Sequence, residues 1–211
     1  MKPIGIYYHF YSGTKVASLT ALHEVYKWAL QQETMPVWTS EYAAAVRGFQ
    51  QATLARRLDG TWLLRGFGAL ATVRLPAALG WPDLERSRGV VGVRDLPQGR
   101  YVALQPGAPL VLALTADPPR GPYLLSANAA VASFQRDGQT ARLRLRGHVP
   151  VEAEIGGCAG ALSARSAPPA TAPTFTRASA IKARRSGNII IKNHTLQFTQ
   201  SDTGDIDVVC H

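Results

Sequence analysis

The sequence predicts an α+β protein in which a short βαβα segment is followed by an antiparallel β-sandwich. Two observations carry that prediction. Between residues 3 and 57 the hydrophobic pattern switches from strand-like to helix-like and back, which is the order a parallel sheet with covering helices requires. From Asp59-Gly60 onward, short runs of β-forming residues are cut by turn signals about every ten residues, the texture of an antiparallel sandwich or barrel. A hydrophobic content of 46% in 211 residues is enough for a real core, which excludes a disordered chain.

The first element is Pro3-Ile4-Gly5-Ile6-Tyr7-Tyr8-His9-Phe10-Tyr11. Side chains alternate along a strand, so Ile4, Ile6, Tyr8 and Phe10 share one face and Gly5, Tyr7, His9 and Tyr11 the other. Both faces are apolar or aromatic, as in a strand covered on two sides. Ser12-Gly13-Thr14 supplies a turn and a cap for a helix running to about Gln32, whose core stripe is Val16, Leu19, His23, Tyr26 and Leu30, widened by Leu22 and Ala29. His23 lies on that stripe and is read as a packed residue. Met35-Pro36-Val37-Trp38-Thr39-Ser40 reads as a second short strand, with Ser40 capping an alanine-rich helix from Glu41 to about Arg57. Glu41 and Tyr42 would stand at the same rim as His9, but a glutamate in a first helical turn is already accounted for by the helix dipole, so neither is placed in the site.

In α/β barrels the chemistry collects where strands end, which makes His9 the candidate catalytic group. Ile6-Tyr7-Tyr8-His9-Phe10-Tyr11-Ser12-Gly13-Thr14-Lys15, with the helix behind it, resembles the last βα units of polysaccharide deacetylases, in particular the bifunctional hydrolase and deacetylase enzymes of bacterial Pel exopolysaccharide systems, distant relatives of carbohydrate esterase family 4. The resemblance covers residues 3 to about 57 and implies the end of a deacetylase barrel. It implies metal-dependent removal of acetyl groups from an N-acetylhexosamine polymer, with His9 as general acid for the departing amine; Tyr11 is a candidate substrate-binding residue. It also implies a polysaccharide partner, exopolysaccharide-export proteins and a periplasmic or extracellular location. The family holds its divalent metal with an Asp and two histidines from an acidic pair and a His-x-x-x-His segment; neither motif is present in this sequence. The chain is therefore expected to contribute no metal ligand and no cofactor of its own, and to be inactive alone. Its metal partner would come from an upstream part of the same protein. No secretory leader precedes the first strand, so an export signal would also lie upstream.

Residues 58–211 are expected to form the accessory β-sandwich, with strands at Thr61–Gly66, Ala71–Leu75, Val90–Arg94, Tyr101–Leu104, Leu110–Thr115, Tyr123–Ser126, Ala130–Gln135, Ala141–Arg146 and Val149–Ile155. Asp137-Gly138 is the clearest hairpin turn. Residues 157–187 are small, proline-dotted and basic and read as a mobile excursion. Asn188–Lys192, Thr195–Thr199 and Asp205–Cys210 close the domain. Trp81-Pro82-Asp83 is read as a loop in which the Trp81 ring could stack on a sugar, while Trp62, Tyr101, Tyr123 and Phe134 are read chiefly as core. A non-enzymatic carbohydrate-binding or assembly module is the alternative function.

Charge and composition narrow the partners. A net charge of +9 permits anionic partners, yet no arginine run is interleaved with stacking aromatics and no nucleic-acid motif occurs, so nucleic acid is not expected. Arg142, Arg144 and Arg146 alternate with leucines, as the solvated side of a strand would. A cationic, deacetylated polymer would be repelled by this charge unless the charge lies away from its groove. No apolar run reaches the roughly 18 residues of a membrane span. Neither a nucleophile elbow nor a phosphate loop is present. Cys158 and Cys210 are either bridged, in an oxidising compartment, or buried as free thiols.

Overall fold

The computed structural model describes residues 3–158, 162–166, 188–192, 195–199 and 205–210. It is an α+β protein built mostly of strands. Helices α1 (Val16–Leu30) and α2 (Thr39–Gln51) come first. They are followed by β1 (Thr53–Arg56), β2 (Trp62–Arg65), β3 (Thr72–Leu75), β4 (Trp81–Arg88), β5 (Val90–Leu96), β6 (Gly99–Leu104), β7 (Leu110–Thr115) and β8 (Tyr123–Ala127). Next come β9 (Ala130–Asp137), β10 (Thr140–Arg146), β11 (Glu152–Gly156), β12 (Leu162–Ser166), β13 (Asn188–Lys192), β14 (Thr195–Thr199) and β15 (Asp205–Cys210). They form a sheet β1-β2-β7-β4, a sheet β12-β15-β10-β9 and a seven-stranded sheet β13-β14-β11-β8-β5-β6-β3. Pairing is antiparallel except where β5 meets β8 at Gly92 and Leu124.

Two apolar cores explain this arrangement, and the seven-stranded sheet contributes to both. Leu64, Phe67, Leu75, Val90, Val93, Val102, Leu104, Leu110 and Leu112 join β2 and β7 to β3, β5 and β6. Val91, Leu124, Leu143, Leu145, Ala153, Ile155, Ile206 and Val208 join β5, β8 and β11 to β10 and β15. Strand β5 thus sends valines into both. A one-residue bulge between Val90 and Gly92 lets Val90 and Val93, three apart, reach the same core. Gly92 is required at the crossing, because a Cβ there would collide with the Leu124 backbone. On β10 the alternation is complete: Ala141, Leu143 and Leu145 are buried and Arg142, Arg144 and Arg146 exposed. The arginine reading from sequence holds, and the charges are met across the ladder by Asp207 on Arg144 (2.7 Å) and Asp205 on Arg146 (2.9 Å).

Most expected strands of the β region form within a residue or two of their expected bounds, and Asp137-Gly138 turns the β9–β10 hairpin with Gly138 at a φ of 55°. Three strands were not expected. Thr53–Arg56, assigned by alanine content to a helix, instead pairs with Trp62–Arg65, so sheet pairing overrides helix propensity. Trp81–Arg88, read as a loop, is β4. Leu162–Ser166, inside the expected excursion, pairs with β15. Residues 159–161 and 167–187 of that excursion lie outside the described residues.

The two expected parallel strands do not form. Pro3–His9 has no regular structure and Phe10–Thr14 is a 3₁₀ turn. A strand exists only through a neighbour, and Met1–Met35, one of the two compact units of the chain, offers no second strand to pair with. Local bonds take over: the Ser12 amide donates to the His9 carbonyl at 2.9 Å and the Thr14 hydroxyl to the Tyr11 carbonyl at 2.8 Å. Thr14 is therefore spent on the turn, and α1 starts from an uncapped Lys15. None of the residues of α1 is buried, so its expected core stripe is open. At Met35–Ser40 the Glu41 carboxylate accepts the Trp38 backbone N–H at 2.7 Å, which begins α2 at Thr39 in place of the expected strand and Ser40 cap.

In the second unit, Pro36–His211, α2 lies against the first core through Gly48, its one buried residue. A Cβ at Gly48 would run into the Phe67 carbonyl oxygen. In most helices Gly→Ala stabilises; here Gly48→Ala is expected to cost about 1–3 kcal/mol through overpacking, measured as a lower urea midpoint. Cys158 and Cys210 are bridged, with Cα atoms 5.9 Å apart and a sequence separation of 52. The bridge ties the chain leaving β11 to β15. Replacing both cysteines with alanine should lower stability by about 4 kcal/mol on the chain-entropy model, checked by denaturation of the variant against the oxidised protein.

Candidate functional site

In the first unit the backbone at His9 is extended (φ −86°, ψ 144°), which sets the side chains of Tyr7, His9 and Tyr11 on one side even without a sheet. The imidazole stacks on Tyr11, with ring centroids 4.9 Å apart and an interplanar angle of 8°. Tyr7 meets its other flank edge-on at 5.3 Å. Two of the expected site residues, His9 and Tyr11, are thus in contact and exposed. The arrangement presents an exposed imidazole flanked by two aromatic rings. Behind it, Tyr8 packs edge-on against Tyr26 of α1 at 6.3 Å. Desolvation, then the neighbouring Tyr8, raises the Tyr26 hydroxyl above its ordinary pKa, so Tyr26 stays a neutral phenol.

Trp81 belongs to the second unit. It opens β4, half-buried, with the Arg100 guanidinium 3.8 Å above its ring. Arg100 is itself fixed: Nη1 donates to the Ala77 carbonyl at 2.7 Å and the Gly80 carbonyl at 2.6 Å, and Asp95 pairs with Nε at 3.4 Å. The cation–π contact holds the turn before β4 against β6, and the ring face under the guanidinium is closed to a sugar.

No family model, curated protein or solved structure matches the chain. Function therefore rests on the chemistry of these residues. Among the described residues, no group of three or more His, Cys, Asp or Glu side chains converges as metal ligands would.

One cluster escaped sequence reasoning. His148 Nε2 lies 2.8 Å from Glu41 Oε2, and the Trp38 ring meets the imidazole at 5.2 Å. The pair joins the first turn of α2 to the connection after β10. The helix dipole did explain Glu41 locally, but no local pattern links positions 107 residues apart. The Glu41 carboxyl is held below its ordinary range, first by the Trp38 backbone N–H and then, against opposing desolvation, by His148 and Arg146. A carboxylate with a depressed folded-state pKa contributes stability above its unfolded pKa and loses it as pH falls through the folded value. Glu41→Gln is accordingly expected to lower stability at neutral pH by no more than about 1 kcal/mol, because the side chain is partly exposed. It should also flatten the loss of stability below the ordinary carboxylate range, a difference read from melting temperatures of both proteins between neutral and acidic pH.

Proposed function

We propose that residues 3–35 contribute to the end of the α/β barrel of an exported polysaccharide deacetylase acting on N-acetylhexosamine units, and that the β-rich body that follows is its accessory β-sandwich. His9 is the general acid and Tyr11 lies against the sugar. The observation that carries this reading is the exposed imidazole held between Tyr7 and Tyr11 in the segment whose sequence resembles the late histidine motif of such enzymes. A second observation supports it. Most of the exposed large hydrophobic side chains among the described residues lie in Met1–Met35, including Tyr7, Phe10, Val16, Trp28 and Leu30. Such a density of open apolar surface calls for covering polypeptide, which the remaining strands and helices of a barrel would supply.

In the proposed reaction water adds to the acetyl carbonyl carbon, giving one proton to a general base on the upstream polypeptide, and the C–N bond breaks. The amine nitrogen leaves with the bonding pair and takes a proton from the His9 imidazolium, releasing acetate. The divalent metal would be held by an upstream part of the same protein, and no step of this chain's chemistry is routed through it. The Cys158–Cys210 bridge supports a periplasmic or extracellular location. Polysaccharide and export proteins are the partners this reading implies.

In the enzyme containing the upstream segment, His9→Ala should lower deacetylation of an N-acetylglucosamine oligomer by about 10²- to 10⁴-fold with metal content unchanged. His9 is exposed, so the fold should survive the change. Unaltered turnover would remove His9 from the mechanism and leave the alternative, a non-enzymatic carbohydrate-binding or assembly module.

A further inference from the structure

We propose that the cleft between the β1–β2 turn and the bulge of β4 is a binding site for an oxyanion, a carboxylate or phosphate borne on a sugar-sized ligand. This inference is independent of the deacetylase reading. The cleft has a volume of about 450 Å³ and is lined by Arg57, Asp59, Thr61, Arg86, Arg88 and Val111. That is the volume of a pocket for a small molecule, larger than a bare ion needs.

The backbone builds both walls. On one side the β1–β2 turn is closed by Arg57 N–H on the Thr61 carbonyl (2.8 Å) and Gly60 N–H on the Arg57 carbonyl (3.0 Å). Asp59 Oδ1 accepts from the amide (3.0 Å) and hydroxyl (2.7 Å) of the buried Thr61. On the other side β4 departs from β7 between Asp83 and Arg88, which pair with Ala113 and Val111. Asp83 Oδ1 takes the amides of Glu85 (3.0 Å) and Arg86 (3.1 Å). The Ser87 hydroxyl accepts the Ala113 amide at 2.9 Å and donates to the Ala113 carbonyl at 3.4 Å, replacing the missing ladder bonds. A bulge held this firmly re-aims side chains, and here it turns Arg86 and Arg88 into the cleft opposite Arg57.

The charges do not cancel. Glu85, the acidic residue on the bulge, is taken by Arg136 at 3.4 Å. Asp59 pairs with Arg57 at 3.5 Å and Asp83 reaches Arg86 only at 4.0 Å, while both carboxylates are already committed to the amides and hydroxyl named above. Arg88 has no ion-pair partner among the described residues. The lining therefore carries three guanidinium groups against one carboxylate, and a guanidinium fork matches an oxyanion in geometry as well as charge.

The test is calorimetric titration of the intact chain with inorganic phosphate, with a trimer of galacturonic acid and with a neutral N-acetylglucosamine trimer, repeated on Arg86→Gln/Arg88→Gln and on Arg142→Gln, whose side chain lies on the solvated face of β10. The inference expects binding of phosphate or of the galacturonate trimer, weakened at least tenfold by the double variant and unchanged by Arg142→Gln. Tighter binding of the trimer identifies the ligand as a sugar acid; tighter binding of phosphate identifies it as a phosphate ester. Binding of neither anion, equal binding of the neutral trimer, or a double variant that melts normally and binds as before would overturn it.

Discussion

The β-rich body of this protein depends on a strand whose first four residues have water on neither side. Strand β5 sends Val90 and Val93 into one core and Val91 into the other, and all three are nearly inaccessible. At its centre Gly92 touches the Leu124 backbone, the one parallel pairing among the described residues. Any side chain there would part β5 from β8 and with it the two cores, so the glycine is the condition on which the three-sheet arrangement rests. Burying valines on both faces also fixes register, because a slip of one residue would exchange the contents of both cores.

Around that strand, polar groups settle how the sheet edges are finished. Arg100 clamps the turn before β4 through its carbonyl contacts and the Trp81 ring. Asp205 and Asp207 meet Arg146 and Arg144 across the β10–β15 ladder, which leaves these arginines little unbalanced charge. The +9 charge of the chain is consequently uneven in effect: it is met at Arg144 and Arg146 on the outer face of β10 and left open in the cleft beside the β4 bulge.

Legibility in the sequence followed the range of the interactions. Alternation of leucine and arginine along β10, and an Asp-Gly turn, are properties of neighbouring residues, and those elements were readable to within a residue or two. Strand β1 was not, because Leu54-Ala55-Arg56 prefers a helix until Trp62–Arg65 is present to pair with it. The segment from Pro3 to Tyr11 shows the converse: its two-faced pattern is that of a buried strand, but within Met1–Met35 no second strand pairs with it, and only the alternation of Tyr7, His9 and Tyr11 survives. Of the candidate site, His9 and Tyr11 could be found from adjacency, whereas the Glu41–His148 contact joins positions that no local pattern connects. The fate of Trp81 was hidden for the same reason, since Arg100 arrives from another strand.

Strand β15 lies between β10 and β12 in its sheet, pairing Ala141–Arg146 on one side and Leu162–Ser166 on the other. Until residues 205–210 arrive, both neighbours expose a row of unbonded amides and carbonyls along the side it will fill. The partners on the β10 side are separated by roughly sixty residues of chain, so assembly of this sheet is non-local and slow relative to hairpins such as β9–β10. During synthesis the nascent chain therefore passes through a stage with two sticky borders facing one vacant lane. Intermolecular strand exchange at that lane is a misassembly this architecture invites.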